Sequence, residues 1–300
     1  MKIGFIGLGN MGLPMALNLC KKGFSIMVCS SKKESQNRIL EAGGQAAESF
    51  CTMAEECDVV ISIVPADLEI RQLYMGEKSL ISAARQGLIC IDMTSAMGAT
   101  KKEIALYIEQ SGKNIKFIDA PVSGGVSGAE GGTLTIMAGG EKNVVEDCLP
   151  IFQAMGKRIV YTGEVGSASN VKMINQMLNA ANTAVAAEAL CLSRRLGVDD
   201  EILSQVVNES SGGSYVFEKN VPKYMMTGNH QPGFRLKLMK KDVELYLETA
   251  KKMKEFTLIP QLVYQIYAAA ENQGNGDLNY TCIYEWFKQN QPVLEKERLD

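Results

Sequence analysis

KIGFIGLGNMGLPMALNLCKK, Lys2 to Lys22, decides the fold. Its first five residues, KIGFI, are an apolar run of strand length, and Leu13–Lys22 reads as a helix. Between them lies Gly7-Leu8-Gly9-Asn10-Met11-Gly12. Gly-x-Gly-x-x-Gly alone is a weak signal, but a strand before it and a helix after it make it a dinucleotide loop. The glycines allow a tight turn, a close approach of backbone to pyrophosphate and close helix–strand packing, and the helix N-terminus faces the phosphate charge. All six residues, Gly7, Leu8, Gly9, Asn10, Met11 and Gly12, are therefore candidate cofactor contacts.

Phe24–Cys29 is the second strand, and its end ordinarily selects the cofactor. An acidic residue there would hold the ribose 2′-OH of NAD, whereas this chain continues Ser30-Ser31-Lys32-Lys33. Hydroxyls and lysines suit a 2′-phosphate, which favours NADP over NAD and makes Ser30, Ser31 and Lys32 candidate contacts. The two lysines read equally as the solvated start of a helix. Asp58–Val64 is a buried strand closed by Pro65, and Leu88–Met93 another, closed by Thr94-Ser95. Val64, Pro65 and Ser95 thus stand at strand C-termini, where ligands bind a doubly wound sheet. Ser95 is a candidate contact to the nicotinamide half, and it also suits an ordinary cap for a helix over Ala99–Ser111.

Ile115–Asp119 is a further strand, followed by Pro121-Val122-Ser123-Gly124-Gly125 and by five glycines within nine residues, 124 to 132. Such a run means sharp turning or close approach of the backbone. The backbone N–H groups beside the Ser123 hydroxyl form a nest suited to a carboxylate, so Ser123, Gly124 and Gly125 are candidate substrate contacts. Thr133–Ala138 and Arg158–Tyr161 close the sheet around a helix over Val144–Met155. The first domain is placed at 1–162.

From 163 onward no strand pattern occurs. Helices are expected over 167–195, Asp199–Glu209, Val216–Met226, Lys237–Met253, Pro260–Asn272 and Leu278–Gln289, giving an all-helical domain at 163–300 with the 167–195 helix linking the two. Met173–Ala187 contains no charge, Pro or Gly, so burial by more than one neighbour is expected, part of it from a second subunit in a homodimer or homotetramer. Lys172 stands at the entrance of this run, behind the N-cap types Ser167, Ser169 and Asn170, which places it in the first helical turn. There the macrodipole and partial burial would lower its pKa and make it usable as acid or base. Asn175 and Gln176, at i+3 and i+4, fall on its face, and either could share its bound group. A structural lysine whose head reaches solvent is the alternative. Lys241, in Phe234-Arg235-Leu236-Lys237-Leu238-Met239-Lys240-Lys241-Asp242, is a second candidate lysine. The one histidine, His230, lies in the loop GNHQPG and reads as a surface residue.

Three hundred residues with 46% hydrophobic and 22% charged side chains describe an ordinary globular chain of two domains. A net charge of −3 gives no reason to expect nucleic acid or an anionic membrane as partner. Eight cysteines without CxxC or His-paired spacing point to reduced thiols in a cytoplasm and to no metal site. No apolar run of membrane-spanning length is free of polar residues.

Four separated stretches, IGFIGLGNMGLPMALNL (3–19), DAPVSGG (119–125), GSASNVKMINQ (166–176) and FRLKLMKKD (234–242), together resemble the β-hydroxyacid dehydrogenases, the group of 3-hydroxyisobutyrate dehydrogenase and tartronate semialdehyde (2-hydroxy-3-oxopropionate) reductase. The resemblance covers almost the whole chain. It implies an α/β fold, an N-terminal Rossmann-type doubly wound sheet followed by an all-α C-terminal domain. It implies an NAD(P)-dependent interconversion of a short 3-hydroxy acid and its semialdehyde, with a small carboxylate as substrate. The catalytic lysine of the family falls on Lys172, with Asn175 or Gln176 as amide partner, and its carboxylate-binding Ser-Gly-Gly falls on Ser123, Gly124 and Gly125. Its cofactor-side lysine falls on Lys241 and the hydroxyl beside the nicotinamide ribose on Ser95. Where similar reductases carry Asn-Arg after the second strand, this chain has Ser30-Ser31. An imine-type reductase on the same fold and a dinucleotide-binding sensor without turnover are the competing readings.

Overall fold

Along each central strand the side chains divide in two, and both halves are buried. Ile3, Phe5, Ile61, Ile91 and Ile118 enter one apolar core, while Val60, Cys90 and Phe117 enter another. A sheet covered on both faces accounts for the nearly continuous apolar runs of its strands. The computed structural model describes residues 1–231 and 233–292, so Pro232 of the GNHQPG loop and the last eight residues of the expected second domain lie outside the described residues. The chain forms two units, Met1–Ile174 and Asn175–Asp300.

The strands of the first unit are β1 (Lys2–Ile6), β2 (Ser25–Cys29), β3 (Gln45–Ala46), β4 (Val59–Ser62), β5 (Ile89–Asp92), β6 (Lys116–Asp119), β7 (Val122–Ser123), β8 (Leu134–Gly139) and β9 (Gly156–Gly163). They lie in the order β3-β2-β1-β4-β5-β6-β8-β7, with β9 beside β8. The first six pair in parallel, and β8 runs antiparallel to β6 and β7. The strand order reverses between β1 and β4, and the crevice at their C-terminal ends is where a doubly wound sheet binds its ligand.

The helices of this unit are α1 (Gly12–Lys21), α2 (Lys33–Glu41), α3 (Phe50–Glu56), α4 (Asp67–Tyr74), α5 (Leu80–Ala83), α6 (Gly98–Gln110), α7 (Gly125–Gly131), α8 (Lys142–Asp147) and α9 (Leu149–Met155). Met15 and Leu19 of α1, Ala129 of α7, Val144 of α8 and Phe152 of α9 fill the first core. Met53 of α3, Tyr74 of α4, Leu80 of α5 and Ile104 of α6 fill the second. The single helix expected over Val144–Met155 is two. Pro150 stands in the first turn of α9, where its missing N–H is harmless, and inside a continuous helix its ring would meet the carbonyl of Glu146.

The helix α10 (Ser167–Arg195) begins before the division at Ile174 and continues into the second unit. There follow α11 (Asp200–Asn208), α12 (Leu236–Met253), α13 (Ile259–Ala270) and α14 (Ile283–Gln289), with a 3₁₀ turn at Tyr280–Cys282. Val216–Met225, expected as α-helix, is wound as a π-helix instead: the Met226 N–H reaches the Val221 carbonyl at 2.9 Å, and Pro222 lies inside. A residue without an N–H removes one rung of an α-helix, and a π-type turn is one way to bridge the gap. Ala180, Ala184 and Leu190 of α10 join Phe217, Met239, Tyr267 and Tyr284 in the core of this unit.

Burial of α10 on every side is not what the chain achieves. Val171, Ile174, Leu178, Val185 and Leu192 are exposed, Val185 to 67%. At 100° per residue they fall within about 60° of one another, so they form one stripe along the helix. Its polar residues on the buried side are bonded instead: Asn179 donates to the Tyr280 hydroxyl at 3.3 Å, and Thr183 to the Asn179 carbonyl at 2.7 Å.

Candidate active site

Backbone packing dictates two of the three glycines of the first loop. Gly7 has φ +97°, and a Cβ there would stand 2.0 Å from the Ile63 carbonyl oxygen; one on Gly12 would stand 1.9 Å from the Gly7 oxygen. A Cβ on Gly9 would meet nothing within 4 Å. Gly7 and Gly12 therefore make the turn, and Gly9 keeps one side of it open. Beside Leu8, Gly9 and Asn10 opens a cavity of about 330 Å³, lined further by Lys21, Lys32 and Arg38 and by one carboxylate, Glu130. An open glycine, a turn that leads into α1 and three cations around one cavity suit the phosphates of a dinucleotide. Ser30 and Ser31 do not line this cavity; the Ser30 hydroxyl accepts the Lys32 N–H at 3.1 Å and shapes the turn. Lys21 and Arg38 were not foreseen. Arg38 stands three residues after Ser35 on α2, and both line the cavity, so the face was legible once the helix start at Lys33 was taken literally.

Val64 and Pro65 follow β4, and Ser95 follows β5, which pairs with β4 in parallel. The Val64 N–H donates to the Thr94 hydroxyl at 3.0 Å, so the two loops are joined one residue from Ser95. Ser123 ends β7. Gly124 and Gly125 take φ of 136° and 63° and lead into α7, where a Cβ on Gly125 would meet nothing within 4 Å. The glycine-rich stretch is thus a strand–turn–helix whose turn only glycine enters without strain.

Lys172 is buried, 6% exposed, and stands in the second turn of α10 rather than the first, because the helix already begins at Ser167. The macrodipole weakens within one turn, so Lys172 lies beyond its strongest part. The three expected cap residues lie inside the helix as well. Ser169 sends both its N–H and its hydroxyl to the carboxylate of Asp119, the first residue of the DAPVSGG motif, at 2.8 and 2.7 Å. Asp119 therefore does the work of a cap from a neighbouring strand.

In the second unit the two amides of α10 differ. Gln176 is buried, and its amide donates to Asp242 Oδ2 at 2.8 Å; Asn175 is exposed and donates to the Gln176 oxygen at 3.3 Å. The Lys241 ammonium is 3.3 Å from Asp242 Oδ1. Asp242, which no spacing argument singled out, therefore sits between the amide and the lysine. His230 is not a surface residue: its side chain is 9% exposed, Nδ1 lies 3.2 Å from the Thr281 hydroxyl and Nε2 3.6 Å from Glu285, and burial pushes its pKa down. Among the described residues no helix is long and apolar enough to cross a membrane.

Residues 2–163 match the family model described as the NAD binding domain of 6-phosphogluconate dehydrogenase. Residues 166–287 match the one described as the NAD-binding of NADP-dependent 3-hydroxyisobutyrate dehydrogenase. The chain is 33% identical over 288 residues to 2-(hydroxymethyl)glutarate dehydrogenase of Eubacterium barkeri, which covers 96% of this chain and 95% of that one. It is 33% identical over 296 residues to the mitochondrial 3-hydroxyisobutyrate dehydrogenase of Mus musculus, covering 97% and 88%. Among solved structures it is similar to 3-hydroxyisobutyrate dehydrogenase of Mycobacterium tuberculosis with L-serine, with a TM-score of 0.88, 27% identity and coverage of 96% and 99%.

Proposed function

The chain belongs to the family of NAD(P)-dependent β-hydroxyacid dehydrogenases, and from that premise we propose that it interconverts a short 3-hydroxy acid and its semialdehyde with Lys172 moving the proton. The observation that carries the assignment of Lys172 is its position: a buried ammonium on the helix that Asp119 of the DAPVSGG motif anchors. The domain of residues 1–162 holds the dinucleotide, and 163–300 supplies substrate contacts and the subunit interface.

When bound, the dinucleotide supplies or accepts the hydride at its nicotinamide ring. The residues suited to hold it are Gly7, Leu8, Gly9, Asn10, Met11 and Gly12, with Val64, Pro65, Ser95 and Lys241 further along. Lys32, supported by Lys21 and Arg38, favours the 2′-phosphate of NADP. Ser30 and Ser31 shape the turn that presents Lys32. Ser123, Gly124 and Gly125 hold the substrate carboxylate. In reduction, Lys172 stabilises the charge that grows on the carbonyl oxygen and gives it a proton; in oxidation, its neutral amine takes the hydroxyl proton. Gln176 is the amide partner of this reading, since it lies on the Lys172 face at i+4 and is held by Asp242, whereas Asn175 orients Gln176.

Subunits pair through the exposed stripe of α10, since a continuous apolar band on a helix is the kind of surface a second copy covers. A homodimer or homotetramer follows. All eight cysteines are unbonded, which suits the reducing cytoplasm. The test is a screen of NADPH and NADH oxidation over short semialdehydes that carry a carboxylate. Turnover of at least one of them, faster with NADPH, is expected. Tight NADPH binding with no oxidation by any would replace this reading with a dinucleotide sensor.

A further inference from the structure

Three charged side chains with no exposed surface lie behind the strand ends of the first unit: Asp92 at the end of β5, Asp119 paired beside it at the end of β6, and Lys101 on α6. The Lys101 ammonium is 3.1 Å from Asp92 Oδ1 and 3.6 Å from Asp119 Oδ1, and it donates to the Thr94 carbonyl at 3.2 Å. Asp92 Oδ1 also accepts the Thr94 N–H at 2.7 Å, and Thr94 in turn holds the loop after β4 through Val64. On the other side Asp119 holds Ser169 of α10. Gly98 and Gly166 close the same region: a Cβ on either would stand 2.6 Å from the carbonyl oxygen of the other. The starts of α6 and α10 therefore meet backbone to backbone.

Burying three charges is a poor way to gain stability. Apolar replacement of a whole buried network is often neutral or stabilising, whereas loss of one member is costly. Here burial pushes the Asp92 carboxyl up against the pull of Lys101, and Asp92 Oδ2 has no hydrogen bond. What the network does provide is fixed geometry among three segments: the β4 loop, the β5 loop with Ser95, and the helix that carries Lys172. Lys172 follows Ser169 by three residues, about 4.5 Å along the axis.

We infer that Lys101 is a positioning residue of the reaction: one buried ammonium holds the Ser95 loop and the start of α10 in register. The groups that place the hydride and the proton are thereby set from a single point. This inference rests on the roles proposed for Ser95 and Lys172. Misplacement of reacting groups on the order of 1 Å costs about a hundredfold in rate.

Lys101→Met alone leaves two facing carboxylates without a cation and threatens the fold, so the informative variant is Lys101→Met with Asp92→Asn. Two carboxylates and one ammonium carry −1 in the native network, and Asp119 alone carries −1 in the variant. The amide introduced at position 92 would keep an acceptor for the Thr94 N–H. Ser169→Ala weakens the other branch, removing the hydroxyl bond to Asp119 and keeping the N–H bond. Each protein is titrated with NADPH to count binding sites, and kcat per site, KM for the semialdehyde and Tm are measured. The double variant is expected to bind NADPH and lose about 30- to 100-fold in kcat with KM little changed, and Ser169→Ala to lose about tenfold. The triple variant is expected to fall no further than the double, because without Lys101 the Asp119–Ser169 pair no longer ties α10 to the Ser95 loop. Native kcat per site in the double variant, or losses that multiply in the triple, would overturn the inference. Should the double variant bind no NADPH, Ser169→Ala decides alone, and native kcat there overturns it. Turnover that survives Lys172→Ala removes the underlying reading; turnover that needs Lys172 but ignores Lys101 and Ser169 removes only this inference.

Discussion

Gly7 and Gly9 lie two residues apart and should respond oppositely to the same methyl group. Gly7→Ala puts a Cβ against a backbone oxygen at a φ of +97°, a combination no side-chain rotation relieves. It is expected to lower Tm, with the left-handed conformation alone costing about 1 kcal/mol. Gly9→Ala adds its methyl group to open space, so Tm should stay native while the NADPH Kd rises about tenfold or more, because the backbone could no longer approach the pyrophosphate. Calorimetry with a binding titration checks both, and an unchanged Kd for Gly9→Ala would remove this loop from the phosphate site. Burial likewise pushes the thiols of Cys148 and Cys282 up to about 12. At pH 8 only about one in ten thousand of each is thiolate, so iodoacetamide should leave both unmodified in the native protein and alkylate them after denaturation. Peptide mass spectrometry reads the difference. At this scale the sequence was most legible where geometry leaves one choice, as at Gly7 and Gly12. It was least legible where a role depends on a distant partner: nothing in the spacing of Asp119, Lys101 or Asp242 says which side chain each will meet.

At the scale of elements, β1, α1, β2 and α10 could be read nearly to their ends, because each has a sustained apolar pattern and a clear stop. The short helices α3, α4 and α5 could not: four to eight residues hold too few turns for periodicity to emerge. Breaks inside helices were missed for a different reason. Pro150 and Pro222 were in plain view, but whether proline starts a new helix or bends the old one into a π-turn depends on the packing around it. The uncharged composition of α10 foretold burial, and the stripe of Val171, Ile174, Leu178, Val185 and Leu192 identifies the side the single chain leaves uncovered. Leu178→Lys with Val185→Lys should therefore convert the oligomer to monomers in light scattering at micromolar concentration. A native protein that is already monomeric, or a variant whose mass is unchanged, would contradict pairing through this face.

For the molecule as a whole, the net charge of −3 hides a local reversal, since Lys21, Lys32 and Arg38 outnumber Glu130 around one cavity beside the glycine loop. Such a cluster attracts an anionic dinucleotide from a surface that otherwise repels it, and the attraction is screened by salt. Lys32→Ala with Arg38→Ala is expected to lower kcat/KM for NADPH by about 10- to 100-fold, the loss of one or two charge-assisted hydrogen bonds, and to leave NADH little changed. Equal losses with both cofactors would assign these cations to the shared pyrophosphate instead. The order of a parallel-sheet half followed by a helical half was legible from motif order alone; the network linking loops to α10 was not, because it is made of contacts between residues up to 50 positions apart. Lys172 is the residue on which the proposed chemistry turns. Its most direct test is the rate of NADPH oxidation at saturating semialdehyde by Lys172→Ala beside the native enzyme, with the NADPH Kd measured in parallel. A fall in kcat on the order of a hundredfold or more with Kd unchanged is predicted; near-native turnover would contradict it.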